Sequence, residues 1–336
     1  MRWTFQTVTQ RRYADEYMRR EQLPRSARTF VMPRWQAMFV SVNKAASTSL
    51  KWLVADIQDE RPEQFHRSLS SEVSRTMTIH QRRMWAKTPT AASLSDEELA
   101  GISPTDGWFV FGAVRHPTAR LFSAWQSKLL LREARYVKEF GNADWFPRVP
   151  QHPDDIVADF SRFVSALGDE ANVIMRDRHF RQQHSLLKPN RIPYSRIYRT
   201  SEIPQLVQDL EGHVRARGYD GAPLKLRRVN ETPLPPVASL FTPEVLTTCS
   251  RLYRSDFAAF GFENPMPTVP DVSDHYTGAT VAEVGRLIER AERIGDLSRL
   301  AKLHRAKSNS ANSSGDDVGH PGRRIARRLR GWTGDR

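Results

Sequence analysis

Met38-Phe-Val-Ser-Val-Asn-Lys-Ala-Ala-Ser-Thr-Ser-Leu-Lys51 reads as a short buried strand that turns at Asn43 and Lys44 and runs straight into a helix. A strand, a lysine-bearing turn and hydroxyl residues at a helix start form an anion grip. Backbone N–H groups at a helix N-terminus point outward, and the helix dipole favours negative charge there. Lys44 adds a compact positive charge, and Ser47, Thr48 and Ser49 add hydroxyl donors. The bland alternative is a strand–helix junction in which Ser47 or Thr48 is an N-cap.

Around this stretch the composition is that of a globular protein: 336 residues, 39% hydrophobic and 26% charged. The formal charge of +13 points to anionic partners without choosing among nucleotides, acidic glycans, nucleic acid or a membrane surface. The single cysteine, Cys249, excludes an intrachain disulfide and a multi-cysteine metal site, and suits a reducing compartment. The first twelve residues lack the uninterrupted apolar core of a signal peptide, and no run is long enough to span a bilayer. The expected location is the cytoplasm, with a peripheral place at a membrane still open.

Residues 1–34 are polar, Arg-rich and weakly patterned, which suggests a lead-in segment or short helix. Residues 35–42 read as the first strand and 48–59 as a helix with Leu50, Leu53, Val54 and Ile57 on its core face. Thr76 to His80 suits a short strand. Ser95-Asp-Glu-Glu98 is a capping box ahead of a short helix that stops at Gly101. Trp108 to Val114 is a continuous apolar run, as in a strand buried on both faces. Pro117 then opens a long helix expected to reach Phe140. Further helices are expected over 154–167, 171–187, from the cap Ser201 to Arg217, and 242–257, with a short strand at 197–199. Strands alternating with helices imply an α/β fold with a mainly parallel sheet. In such sheets ligands lie beyond the carboxyl ends of the strands, so the Lys44 and Arg115 turns can share one cleft.

The Lys44 loop is not a G-x-x-x-x-G-K-[ST] phosphate loop, because Val42 to Thr48 contains no glycine. The second chemistry-bearing stretch is Phe111-Gly-Ala-Val-Arg115-His-Pro-Thr-Ala-Arg120-Leu-Phe-Ser123-Ala-Trp125. An arginine fork at a strand end, with a hydroxyl about two helical turns on, suits a terminal phosphate monoester. The alternative for Arg115 or Arg120 is a structural ion pair.

Taken together the two stretches resemble the sulfotransferases, closest to the carbohydrate sulfotransferase (family 2-like) branch. Arg178-His179-Phe180-Arg-Gln-Gln-His-Ser-Leu-Leu-Lys-Pro189, Ile197-Tyr-Arg-Thr-Ser-Glu202 and Leu252-Tyr253-Arg-Ser-Asp256-Phe-Ala-Ala-Phe-Gly-Phe262 look like later segments of that branch. Asn43 stands where the branch usually has proline, and Phe180 where it has tryptophan. The resemblance implies a P-loop-like central parallel sheet flanked by helices. It also implies 3′-phosphoadenosine 5′-phosphosulfate (PAPS) as donor and a hydroxyl acceptor, expected to be a glycan, with no metal. The loop of Lys44, Ala45, Ala46, Ser47, Thr48 and Ser49 would hold the 5′-phosphosulfate, and Arg115 with Ser123 the 3′-phosphate. A small-molecule or lipid alcohol is the alternative acceptor. A nucleic-acid or membrane-binding protein with a vestigial nucleotide fold is the alternative of another class.

Sulfuryl transfer shares the loose in-line transition state of phosphoryl transfer, so positioning and charge stabilisation dominate. Lys44 is placed to neutralise the leaving oxygen. A histidine suits the general base. His80 is the first candidate, ahead of His179 and His184, while His116 reads as a turn residue beside Pro117. Arg227 and Arg228, with Asn230, can close over the nucleotide, meet an acidic acceptor, or form a solvated basic loop.

The expected organisation is a 35–263 sulfotransferase domain, a 264–279 linker, a 280–306 accessory helix and a disordered basic 307–336 tail. The tail's arginines, at 323–330, suit an anionic surface.

Overall fold

The computed structural model describes residues 23–60, 79–168, 173–227, 233–263 and 275–314, with backbone alone for 83 and 307–314. Period-two alternation builds its sheet. The strands are Thr29–Met32 (β1), Ala37–Val40 (β2), Phe109–Val114 (β3) and Arg196–Arg199 (β4), in spatial order β1-β2-β3-β4. Strands β2, β3 and β4 run parallel, with Phe39 opposite Phe111 and Ala113 opposite Tyr198. Phe30, Phe39 and Phe111 bury on one face against Leu50 and Leu53. Val31, Met38, Val40 and Val110 bury on the other against Leu99 and Leu187. Each such side chain removed from water contributes roughly 1.5–3 kcal/mol.

Strand β1 corrects the lead-in reading. It pairs antiparallel with β2, Phe30 facing Phe39, and gives an otherwise parallel sheet an antiparallel edge. The basic residues before it hid a strand that only four residues, Thr-Phe-Val-Met, encode. The first 22 residues lie outside those described, as does all but the end of the Thr76–His80 stretch, where Ile79 and His80 form a turn.

The helices are Ser47–Ile57 (α1), Asp96–Ala100 (α2), Pro117–Trp125 (α3), Ala134–Phe140 (α4), Pro153–Leu167 (α5), Gln183–Leu187 (α6), Ile203–Arg215 (α7), Pro243–Leu252 (α8), Arg254–Phe260 (α9) and Gly278–Ser314 (α10). The capping box at Ser95 and Glu98 forms as the spacing predicts. Four helical expectations are corrected. The helix from Pro117 does not run to Phe140. A π turn over Gln126–Leu130 and a left-handed Arg132 (φ 52°) break it. Buried Gln126, at the start of the π turn, exchanges two 3.0 Å hydrogen bonds with the backbone of Leu234. Residues 171–187 are not one helix: a 3-10 turn at Val173–Arg176 is followed by an irregular turn and then α6. There the carbonyls of Arg178 and Arg181 accept from Arg120 instead of from helical N–H groups. Ser201 does not cap α7; the Glu202 carboxylate accepts from the Arg199 N–H at 2.7 Å. The helix starting at Pro243 ends at Leu252, and α9 begins after Tyr253.

Helix α10 continues to Ser314, past the expected end at 306, because nothing in Lys307-Ser-Asn-Ser310 stops a helix already nucleated on the core through Val284 and Ile288. The rest of the basic tail and residues 264–274 lie outside those described. Among the described residues no helix is long and apolar enough to cross a membrane.

The molecule is thus an α/β protein with a P-loop-like, mostly parallel central sheet, helices on both faces and a C-terminal helical extension. The carboxyl ends of β2, β3 and β4 point the same way. They deliver the turns at Lys44, Arg115 and Thr200 to one side of the sheet. Gly112, just before that edge, lets Leu187 pack closely, since a Cβ there would meet Leu187 Cδ2 at 2.9 Å and move that side chain.

Candidate active site

The turn after β2 solves the phosphate-loop problem without glycine. Lys44 (φ 66°) and Ala46 (φ 56°) both adopt the left-handed conformation. This backbone costs roughly 1–2 kcal/mol per non-glycine residue. The Ala45 N–H between these two residues turns back to the Val42 carbonyl at 3.4 Å, which closes the turn and leads the chain directly into the helix start. Ala46, not a hydroxyl residue, is the N-cap of α1, and it makes no side-chain cap bond. The bland reading of Ser47 or Thr48 as an N-cap is therefore not what the chain adopts. The first N–H groups of any helix lack intrahelical acceptors, and here they open onto the cleft.

That cleft has a volume of about 830 Å3. Among the described residues Arg28, Lys44, Lys51, Arg82, Arg115 and Lys128 line it against a single carboxylate, Glu133, which pairs with Lys128. The balance is strongly positive, and field lines focused by a low-dielectric wall favour an anionic occupant. Lys44 Nζ donates to Ser127 Oγ at 2.8 Å. Burial, then the charges of Lys128 and Arg115, lower its pKa to about 7.

Arg115 leaves β3 with its backbone held at both ends by Gln183: Oε1 accepts its N–H at 2.9 Å and Nε2 donates to its carbonyl at 2.8 Å. Gln183 is fixed in turn by buried Asp256, which accepts from the Gln183 and His184 N–H groups at 2.9 and 2.7 Å. Tyr253 donates to the Phe180 carbonyl at 2.7 Å. The Tyr253…Asp256 segment therefore props the Arg115 turn. Among the described residues the Arg115 guanidinium meets no carboxylate, and with Ser123 it faces the cleft. Arg120 has another job. Fully buried, it spends its donors on the carbonyls of Asn43, Arg181 and Arg178 at 2.8–2.9 Å, tying the Lys44 turn to the His179 turn.

Both cleft histidines are reached, from different elements. His80 is exposed, with Nε2 3.3 Å from Thr48 Oγ1 and Nδ1 3.4 Å from Lys51 Nζ. Desolvation and then Lys51 lower its pKa to about 4. His179 has Nδ1 2.8 Å from Asp177 Oδ1 and Nε2 2.8 Å from Asn43 Nδ2. Arg28 Nη1 donates to Asn43 Oδ1 at 3.2 Å, which fixes the amide with its NH2 toward His179. Burial lowers the His179 pKa, Asp177 raises it, and Lys128 and Lys44 lower it again, for a net decrease. Burial would raise the Asp177 carboxyl, but hydrogen bonds from His179 hold it well below the usual range.

Of the expected site residues, Lys44, Ala46, Ser47, Thr48, Ser49, Arg115, Ser123, His80 and His179 come together around the cleft. Ala45 is buried in the core beneath the turn. Arg228 lies outside the described residues, and Arg227 pairs with Asp56 at 2.8 Å, away from the cleft. His184 is not among the lining residues. His116 packs between Phe257 and Phe262 as a turn residue. Sequence reasoning passed over Arg28, Lys51, Lys128 and Asp177. Asp177 had a signal, two residues ahead of a candidate base; Lys51 had one too, a cation inside the apolar run of α1. Among the described residues no group of three or more His, Cys, Asp or Glu is placed to hold a metal.

A parallel sheet that delivers a lysine turn and an arginine turn to one cationic cleft defines a P-loop-like α/β protein with an anion-suited cleft at the carboxyl edge of its strands. A family model described as "Sulfotransferase family" matches residues 27–263, and the chain belongs to that family. It is thus an enzyme of sulfuryl transfer. No curated protein and no solved structure matches the chain.

Proposed function

We propose that this enzyme moves the sulfuryl group of PAPS to a hydroxyl of a carbohydrate. Lys44, the N-terminus of α1 and Ser47–Ser49 would hold the 5′-phosphosulfate, and Arg115 with Ser123 the 3′-phosphate. The observation that carries the reading is the arrangement of the Lys44 and Arg115 turns on neighbouring parallel strands, both open to one cleft where, among the described residues, six cations face a single carboxylate. A nucleotide with phosphates at both ends is the ligand that such a pair of grips suits. Arg28 and Lys51, which line the same cleft, favour an acceptor that itself carries negative charge, as acidic glycans do. Lone, buried Cys249 suits a reducing compartment, so the reading keeps the protein in the cytoplasm, with its basic tail toward an anionic surface.

In the reaction the bond from sulfur to the 5′-phosphate oxygen breaks and a bond to the acceptor oxygen forms. Lys44 and the α1 amides stabilise the charge that moves to the leaving phosphate. The acceptor proton passes to a histidine, and His179 is the better base. Asp177 can only accept, so Nδ1 of His179 carries the proton and Nε2 keeps its lone pair. Asn43 holds that lone pair until an acceptor hydroxyl takes its place. The products are 3′-phosphoadenosine 5′-phosphate and a sulfate ester.

Thermal unfolding with 3′-phosphoadenosine 5′-phosphate at a hundredfold excess over Kd should show stabilisation of about 2.7 kcal/mol. An equal effect of ATP would sink the donor assignment. Asp177→Asn should lower transfer roughly 10²–10⁴-fold, the range of general base catalysis, and leave the nucleotide shift in place. Unchanged transfer would reject His179 as base. A sulfate-transfer screen across acidic glycans, neutral glycans and small alcohols tests the acceptor class.

A further inference from the structure

The two cleft histidines have partners of opposite kind, and this separates their roles. Lys51 lies on α1 one turn beyond Ser47 and is 7% exposed. Its Nζ approaches His80 Nδ1 at 3.4 Å and sits 5.6 Å above the Phe30 ring. An ammonium donates and cannot accept. A lysine at Nδ1 therefore forces the imidazole to offer its lone pair there and to carry its proton on Nε2. That second nitrogen faces Thr48 in the first turn of α1, at the mouth of the anion grip.

Among the described residues, the groups facing this pair come from several elements. Arg28 approaches from the segment before β1, Lys128 from the π turn, and Arg178 and His179 from the turn before α6. Among the described residues these are cations or a neutral imidazole, and the carboxylate that lines the same cleft, Glu133, pairs with Lys128. Burial and these charges also lower Lys51 to about 8, which leaves it an ammonium at neutral pH.

We infer that Lys51 is a positioning residue that fixes His80 as a hydrogen-bond donor, its Nε2–H directed at the oxygens of the transferring sulfonate. The inference rests on the sulfuryl-transfer reading above. His80 then stabilises charge while His179 takes the proton, a division set by one lysine and one aspartate. It reverses the order of preference that sequence reasoning attached to the two histidines.

The test separates donor from base. Glutamine keeps an N–H near the position of Nε2 and cannot titrate. His80→Ala should lower kcat about 10²-fold or more, the usual loss for one donor at a developing oxyanion. His80→Gln should recover transfer to within about tenfold of the wild type and leave the acid side of the pH profile unchanged. Lys51→Met should lower kcat with the KM for donor unchanged, and Lys51→Arg should recover part of it. Independently of activity, 15N spectra of the histidine-labelled full chain should show His80 protonated at Nε2, and a mixture of tautomers in Lys51→Met.

His80→Gln as impaired as His80→Ala, or an Nδ1–H tautomer in the wild type, would overturn the inference. Binding of 3′-phosphoadenosine 5′-phosphate is followed in each variant. Its loss in the wild type would instead refute the donor reading on which the inference rests.

Discussion

Lys44→Met makes a demanding test of the site, because it should stabilise the free enzyme while disabling it. Lys44 has a pKa of about 7 in place of 10.5. A gap of between three and four pH units corresponds to about 5 kcal/mol for charging the side chain in the empty grip, at roughly 1.36 kcal/mol per unit. That figure is an upper bound. Lys44 is partly exposed, donates to Ser127 and has Glu133 nearby. Allowing for solvent screening, ~1–3 kcal/mol is the expected gain.

The sign follows from proton binding. Between about pH 7 and 10.5 the unfolded chain holds the Lys44 proton and the folded chain does not, so stability rises with pH across that window. The destabilisation is complete below about pH 7 and fades toward pH 10.5. Methionine has similar length, no charge and the same left-handed backbone to bear. Urea unfolding should therefore show Lys44→Met more stable than the wild type by ~1–3 kcal/mol at about pH 6.5, with the difference shrinking at about pH 9.5. Stabilisation by 3′-phosphoadenosine 5′-phosphate should largely vanish in the variant. A variant less stable than the wild type at the lower pH, or a gain equal at both pH values, would contradict this account of Lys44.

Two other predictions concern the second turn and its support. Arg115→Ala and Ser123→Ala should each weaken 3′-phosphoadenosine 5′-phosphate more than adenosine 5′-phosphate in calorimetry, the arginine by about 1.5–3 kcal/mol. Equal losses for the two nucleotides would show that this pair does not read the 3′-phosphate. Arg120→Ala should lower stability by ~3 kcal/mol or more, since the carbonyls of Asn43, Arg178 and Arg181 would be buried without partners. Chemical denaturation reads this, and a loss confined to nucleotide binding would contradict the clamp role.

The central sheet and both anion-facing turns were legible because each depends on short-range patterns. Apolar runs at 38–42 and 109–114 are long enough to demand burial on both faces, and a lysine or arginine just past a buried strand has few places to go but the cleft. Strand β1 was not legible. Its four residues take their strand character from pairing with β2, a contact between chain segments. The same holds for the helix that fails to form over 171–187, where Arg120, from another element, claims carbonyls that helical N–H groups would otherwise occupy.

Family, α/β class and the residues of the two grips are local properties of the chain: strand alternation and the Lys44 and Arg115 spacings survive any arrangement of loops. What each titratable group does was decided by long-range packing. Asn43 and Arg28 reach His179, Lys51 reaches His80, and Arg120 is a buried clamp instead of a ligand contact. The protonation state and tautomer of an imidazole are set by neighbours within hydrogen-bond reach. Lys51 stands 29 positions from His80 along the chain and Asn43 stands 136 from His179, so only folding makes them neighbours.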